Sequence, residues 1–130
     1  MQARARHLVF VYGTLKRGGS NHHFLAGQRF LGRARTAPGF TLYSLGEYPG
    51  LVERADDRDG VAGELWEVDS SALRRLDQLE GVAEGLYARI PARLAEWPEN
   101  LSPAEAGSAE LYVYLRPVDA SAWIGSTWAG

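Results

Sequence analysis

The fold follows from residues 8–19, which run Leu8-Val9-Phe10-Val11-Tyr12-Gly13-Thr14-Leu15-Lys16-Arg17-Gly18-Gly19. The first five are apolar, β-branched or aromatic without interruption. A run of this kind that ends at a glycine is typical of a buried strand leading into a loop. The loop over 13–20 is therefore predicted to be anchored in the core, and its glycines allow backbone N–H groups to face a ligand.

One amphipathic helix is predicted in the middle of the chain. Asp69-Ser70-Ser71 supplies side chains that cap a helix start, and Gly81 is placed to end the helix. Between them, apolar residues recur at the spacing of one helix face: Ala72, Leu73, Leu76 and Leu79. We expect this face to pack on the core.

Strand-like segments lie on both sides of this helix. Runs of apolar and β-branched residues predict strands over 28–35, 40–45, 51–52, 61–68, 86–94 and 109–115. Many strands with one good helix are typical of an α+β fold, here a mixed, curled β-sheet or barrel with few flanking helices. Because 130 residues is the size of one ordinary domain, a single domain over 1–130 is expected.

Four connecting segments complete this prediction. Asn21 is expected to cap a helical turn over 22–26. Tyr48-Pro49-Gly50 and the cluster 56–60, which ends in Asp-Gly, are expected to form turns, the second of them a hairpin. The polar stretch 97–107 is predicted to be a mobile loop.

Composition and charge exclude several functions. The net charge is -2 with acidic and basic side chains interspersed, so neither nucleic acid nor an anionic membrane is an expected partner. Cysteine is absent, which excludes disulfides, thiolate metal sites and thiol nucleophiles. The apolar run over 8–12 is too short for the hydrophobic region of a signal peptide, so a cytoplasmic location is expected.

Glu80 is a candidate for proton transfer. At about 100° per residue it projects between Leu73 and Leu76, on the helix face that turns toward the core. It also lies in the last helical turn, where the negative end of the helix dipole opposes a carboxylate. Both effects should raise the pKa of Glu80 toward neutrality, as general acid/base catalysis requires. The alternative, a fraying helix end that leaves Glu80 in solvent, stays open here.

The glycine-rich loop is a second candidate. Its backbone N–H groups are suited to an oxyanion or carboxylate, although a turn without a ligand is the simpler alternative. The glycine spacing imitates a phosphate-binding P-loop, but Gly19 stands where that motif requires lysine, so a nucleoside triphosphatase is rejected. His22 and His23 are adjacent and point about 100° apart on a helix, so no metal site is expected.

A series of short motifs extends over most of the chain: Val11-Tyr12-Gly13-Thr14-Leu15-Lys16-Arg17-Gly18, Tyr48-Pro49-Gly50-Leu51-Val52, Gly63-Glu64-Leu65-Trp66-Glu67-Val68-Asp69, Leu76-Asp77-Gln78-Leu79-Glu80-Gly81, Leu86-Tyr87-Ala88-Arg89, Tyr112-Val113-Tyr114 and Ile124-Gly125-Ser126-Thr127-Trp128. In this order and spacing they resemble the gamma-glutamylcyclotransferase-like family, also called AIG2-like, which includes gamma-glutamylamine cyclotransferases.

The resemblance implies a barrel-like mixed sheet with a ligand cavity beside the loop. It implies a catalytic glutamate at Glu80. It also implies the substrate-binding residues, which are Tyr12, Gly13, Thr14 and Leu15 in the loop and Tyr87 and Tyr114 as cavity walls.

The chemistry implied by this resemblance is an intramolecular aminolysis. The α-amino group of a small gamma-glutamyl compound would attack its own γ-carbonyl, with Glu80 as general acid/base, and release 5-oxoproline and a free amine. Ring closure within one substrate needs no enzyme nucleophile, and no metal or organic cofactor is expected. The alternative is a non-catalytic small-molecule binding or regulatory protein that keeps the same cavity. The oligomeric state is not predicted.

Overall fold

The computed structural model describes residues 6–129. Its strands are β1 (Arg6–Val11), β2 (Arg29–Thr36), β3 (Phe40–Ser44), β4 (Pro49–Glu53), β5 (Ala62–Asp69), β6 (Tyr87–Pro91), β7 (Leu94–Glu96), β8 (Glu110–Tyr114) and β9 (Trp123–Gly125). Its helices are α1 (Ser70–Leu79), α2 (Pro103–Gly107) and two 3₁₀ turns (His22–Leu25 and Ala120–Ala122). The single domain over 1–130 stays a prediction, and residues 1–5 and 130 lie outside the described part.

The strands form two sheets. The larger has six strands in the order β6-β8-β1-β5-β2-β7, and the smaller has three in the order β4-β3-β9. In the larger sheet β1 runs parallel to β8, and the other pairs of neighbouring strands are antiparallel. This mixed, curled sheet with its few helices confirms the predicted α+β class.

The central strand β1 is buried on both faces. Val9 and Val11 pack in the cluster that contains α1, whereas Phe10 packs in a second cluster with Phe40 and Leu51 of the smaller sheet. A strand covered on both sides has no polar face, which explains the uninterrupted apolar run. The strand ends at the loop, so both clusters anchor the loop's entry point.

Helix α1 begins and ends where the sequence predicts. The Asp69 carboxylate accepts a hydrogen bond of 2.8 Å from the N–H of Ala72. At the other end Gly81, with φ +65°, donates to the carbonyl of Gln78, and Val82 donates to that of Asp77. This pair of bonds is a Schellman motif. It fixes the backbone on both sides of Glu80, the last residue before the glycine.

Two predicted turns differ from the structure. Pro49 and Gly50 are the first residues of β4, not a turn, and proline is tolerated because β4 lies at the edge of its sheet. The cluster 56–60 is not a hairpin, because β4 and β5 belong to different sheets. Asp57 organises this crossing by accepting hydrogen bonds from the N–H groups of Gly39 and Gly60.

Three further predictions need correction. The stretch 97–107 contains α2, whose capping box joins Ser102 and Glu105; the Ser-x-x-Glu signal was present in the sequence. The single strand predicted over 86–94 is two strands, β6 and β7, separated at Arg93, which has φ +51°. Asn21 does precede a short helical turn, but its side chain makes no capping hydrogen bond.

Gly81→Ala is expected to lower the free energy of unfolding by about 1–2 kcal/mol, because an L residue is strained at positive φ. A Cβ at this position would also lie 3.2 Å from Cβ of Leu86. Gly107→Ala is the control, since its Cβ would meet nothing within 4 Å and no positive φ opposes it. Urea unfolding should show a loss for the first variant only, and equal shifts would contradict the strained cap.

Candidate active site

A cavity of about 220 Å³ opens where β1 ends. It lies between the loop that follows β1, the end of α1, the start of β4 and the strands β6 and β8. Its walls are formed by Phe10, Val11, Tyr12, Gly13, Thr14, Leu15, Asn21, Tyr48, Pro49, Leu79, Glu80, Leu86, Tyr87 and Tyr112. The size suits a ligand of a few to about a dozen heavy atoms.

Glu80 lies in the cavity wall at the end of α1. Burial raises the pKa of its carboxyl from 4.5 to about 7. Among residues 6–129 no hydrogen-bond or ion-pair partner holds this carboxyl, so it is free to exchange a proton with a ligand. The fraying end that would leave Glu80 in solvent is wrong, because the Schellman motif holds the backbone here.

Three tyrosines line the cavity close to Glu80. Burial raises the pKa of Tyr12, Tyr87 and Tyr112, and the negative charge of Glu80 raises each of them further. Their hydroxyl groups are all hydrogen-bonded to the protein. Tyr12 donates to the carbonyl of Tyr112 at 2.6 Å, and Tyr87 donates to that of Pro49 at 3.1 Å. These phenols stay neutral at physiological pH.

The loop that lines the cavity has backbone amides without an acceptor. Within residues 6–129 the N–H groups of Gly13, Thr14 and Leu15 donate to no acceptor. Asn21 holds the loop instead through Thr14, donating its side-chain amide to the hydroxyl at 3.0 Å and its backbone N–H to the carbonyl at 2.9 Å. Gly13 is required by space, because a Cβ there would lie 2.7 Å from Cγ of Pro49.

Glu64 anchors the outer half of the loop. Its buried carboxylate accepts from the backbone N–H of Arg17 at 3.0 Å and from the Arg17 guanidinium at 3.2 Å. The indole N–H of Trp66 donates to the same carboxylate. Lys16 donates to the carbonyl of Trp128 at 2.7 Å. Arg17 therefore fixes the loop to β5, and Lys16 fixes it to the segment after β9.

The structure brings together most of the predicted site. Of the substrate-binding set, Tyr12, Gly13, Thr14, Leu15 and Tyr87 line the cavity with Glu80. Tyr114 does not line it, but packs edge-on against the ring of Tyr87 with centroids 5.2 Å apart.

Several cavity residues were not predicted as site residues from the sequence: Asn21, Tyr48, Pro49, Leu79, Leu86 and Tyr112. For Tyr112 a signal was present, since residues two apart in a strand share a face and Tyr114 was already a candidate. Tyr48 and Asn21 are on loops, where no periodicity indicates direction.

No group of three or more His, Cys, Asp or Glu within 6–129 is arranged to hold a metal ion. In the same part of the chain no helix has the length and apolar character needed to cross a membrane.

Comparison with known proteins identifies the family. Residues 9–128 match the family described as "Gamma-glutamyl cyclotransferase, AIG2-like". The chain is 40% identical to a putative gamma-glutamylcyclotransferase of Vibrio cholerae over 84% of this chain and 83% of that protein. It is 37% identical to the gamma-glutamylaminecyclotransferase of Rattus norvegicus over 89% and 82%. The crystal structure of an AIG2-like protein from Mus musculus superposes with a TM-score of 0.67 at 31% identity, covering 91% of this chain and 82% of that one.

The matched family and the named relatives thus define the class of protein as a cyclotransferase enzyme. The chain belongs to the AIG2-like gamma-glutamyl cyclotransferase family. This confirms the family and the enzyme class that the motifs indicated.

Glu80→Gln is expected to raise the melting temperature more at pH 8 than at pH 5. Because the pKa of the folded protein is about 7 and the ordinary value is 4.5, ionisation of the buried carboxyl destabilises the fold. This cost is absent below pH 4.5 and complete above pH 7. A neutral glutamine never incurs it. Thermal denaturation at both pH values measures the difference, with the exposed Glu84→Gln as control, and a pH-independent gain would contradict the desolvated position.

Proposed function

We propose that this enzyme cyclises a gamma-glutamyl amine or gamma-glutamyl amino acid to 5-oxoproline and releases the free amine. The observation that carries the proposal is a desolvated carboxyl, Glu80, in a cavity that is also lined by residues 13–15, whose backbone amides have no acceptor in the described part of the chain. One wall is suited to proton exchange and the other to negative charge on oxygen. Family membership supports the same activity.

The first step is proton removal. The glutamyl end binds against the loop, and Glu80, ionised above its pKa of about 7, takes a proton from the α-ammonium group of the substrate. A pKa near neutrality lets one carboxyl accept this proton and return it later. The loop amides are suited to receive a carboxylate or the carbonyl oxygen of the substrate.

The second step closes the ring. The lone pair of the α-nitrogen forms a bond to the γ-carbon, and the carbonyl electron pair moves to oxygen, where backbone N–H groups stabilise the charge. The carbonyl then re-forms and the bond to the departing nitrogen breaks, with protonated Glu80 supplying the proton that this nitrogen needs. The carboxylate regenerated in this way removes the second proton from the positively charged ring nitrogen and passes it to the freed amine, which leaves as an ammonium ion. The nucleophile is tethered to its electrophile, so positioning replaces covalent catalysis.

The amine and the cellular location are part of the proposal. The rat relative is named for gamma-glutamylamines, which makes this substrate class the first to test here. A panel of gamma-glutamyl amino acids, polyamines and ε-linked lysine, assayed for 5-oxoproline, would identify the substrate. A binding protein that kept only the cavity would release none from any of them. A cytoplasmic location stays a prediction of the sequence.

Glu80→Gln is expected to lower kcat by about 10² to 10⁴-fold, because the amide keeps the size of the side chain but does not exchange a proton. KM should change little. The assay is 5-oxoproline release by purified protein that is folded by circular dichroism. Glu84→Gln, exposed in the following turn, should keep wild-type activity. A near wild-type rate for Glu80→Gln would eliminate Glu80 as the catalytic group.

Activity is expected to survive exhaustive chelation, because the proposed steps require only a carboxyl group and backbone amides. The measurement is the rate of 5-oxoproline release before and after dialysis against EDTA. Loss of the rate, restored by one divalent metal, would contradict the cofactor-free mechanism.

A further inference from the structure

Three tyrosine hydroxyl groups of the cavity are each fixed as the donor of a hydrogen bond to the protein. Tyr12 and Tyr87 face carbonyl oxygens, which carry no hydrogen, so each hydroxyl must be the donor in its bond. Tyr112 faces the Asp77 carboxylate at 2.7 Å and is likewise the donor. Each hydroxyl therefore donates its only hydrogen to the protein. The Tyr12 oxygen also accepts a hydrogen bond from the backbone of Leu51, so the phenol oxygens that can still accept from a ligand are those of Tyr87 and Tyr112.

Asp77 is held rigidly in this arrangement. Its carboxylate receives two hydrogen bonds from the guanidinium of Arg89, at 3.0 and 3.2 Å, in addition to the one from Tyr112. Arg89 is in turn bonded to Glu110 of β8. Such a bidentate pair has a preferred planar geometry, so the acceptor of the Tyr112 hydroxyl cannot rotate freely.

The same residue is tied to the end of α1. Asp77 lies one helical turn before Glu80, and its backbone carbonyl accepts the hydrogen bond of the Schellman motif from the N–H of Val82. Asp77 is thus linked through its carbonyl to the backbone that carries Glu80, and through its carboxylate to the side chain of Tyr112. The two cavity groups are held in a fixed relation by helix α1 and strands β6 and β8.

The cavity is consequently divided into donors and acceptors. The loop over 13–15 contributes backbone N–H donors, whereas the Glu80 carboxylate and the phenol oxygens of Tyr87 and Tyr112 contribute acceptors. The charged or titratable groups among the cavity residues are Tyr12, Tyr48, Glu80, Tyr87 and Tyr112, and none of them is a cation. The acceptor wall is complementary to an ammonium or amine group with several N–H bonds.

We propose that the Tyr112 oxygen accepts a hydrogen bond from the α-amino group of the substrate beside Glu80, and that Asp77, clamped by Arg89, is the positioning residue that keeps Tyr112 an acceptor. The assignment deepens the proposed function and rests on it for the identity of the substrate. While Glu80 takes one proton from this nitrogen, Tyr112 holds a second N–H and so restricts rotation of the amine before it attacks the γ-carbon.

The kinetic test uses Tyr112→Phe, Asp77→Asn and the double variant. Tyr112→Phe is expected to lower kcat/KM by about tenfold to 100-fold, the usual range for a hydrogen bond to a charged group. Asp77→Asn should lower it too, because an amide cannot receive both Arg89 hydrogen bonds and that of Tyr112. If Asp77 acts through Tyr112, the double variant is no slower than Tyr112→Phe alone. If the double variant instead shows the product of the two single losses in kcat/KM, Asp77 does not act through Tyr112 and its positioning role is overturned.

A binding test separates amine recognition from turnover. Calorimetry in the Glu80→Gln background compares L-glutamine with glutaramic acid, which is the same molecule without the α-amino group. Adding Tyr112→Phe or Asp77→Asn should weaken L-glutamine about tenfold and leave glutaramic acid unchanged. Equal weakening of both ligands, or of neither, would overturn the proposal. If the variants weaken the binding of L-glutamine only, but the protein cyclises no gamma-glutamyl compound, the proposed function is refuted. The assignment of Tyr112 to the α-amino group then still holds.

Tyr43→Phe is the matched control, since Tyr43 is a buried tyrosine of β3 that does not line the cavity. It should change neither kcat/KM nor the preference for L-glutamine. Should Tyr112→Phe fail to fold, Asp77→Asn alone decides the question through the same comparison of the two ligands.

Discussion

The rest of the structure depends on the burial of β1 from both sides. Val9 and Val11 are held under α1, and Phe10 is held under the smaller sheet. Each such side chain contributes about 1.5–3 kcal/mol when fully buried, so the strand cannot slide or shorten without a large loss. Because the chain must then leave the core at Gly13, the position of the loop is set by the packing of the strand that precedes it.

The catalytic candidate stands at a helix end for a related reason. Glu80 is the C-cap of α1, at the negative end of the helix dipole, and the cavity wall removes its carboxyl from water, which is what raises its pKa. The Schellman motif at Gly81 prevents the simplest relief, which would be to unwind the turn into solvent. The stable helix end thus holds the carboxyl of Glu80 in an unfavourable position, and its pKa is raised as a result.

Two kinds of polar contact surround the cavity and have different roles. Glu64 and Asn21 hold the loop so that its amides are left without acceptors. Asp77, held by Arg89, accepts the hydrogen of the Tyr112 hydroxyl, whereas the hydroxyls of Tyr12 and Tyr87 donate to backbone carbonyls. The cavity residues themselves carry one formal charge, that of Glu80, while charges that fix the walls are paired outside it.

The sequence by itself determined the features that local chemistry controls. The apolar run before Gly13 predicted the buried strand, and Asp69 and Gly81 predicted both ends of α1, because capping and backbone conformation act over a few residues. Helical spacing also placed Glu80 on the inner face of the helix. The motif series then indicated the family.

Only the tertiary structure decided which elements meet. The turn predicted at Pro49 is wrong because Pro49 pairs with Ser44 and already belongs to the strand. The hairpin predicted over 56–60 is wrong because the division of strands between two sheets depends on pairings far apart in sequence. The same holds for Tyr112, which contacts Asp77 across 35 positions, and for Tyr48 and Asn21, which reach the cavity from loops. Hydrogen-bond direction at these sites follows from the partner each side chain finds in space, and no local pattern in the chain encodes that partner.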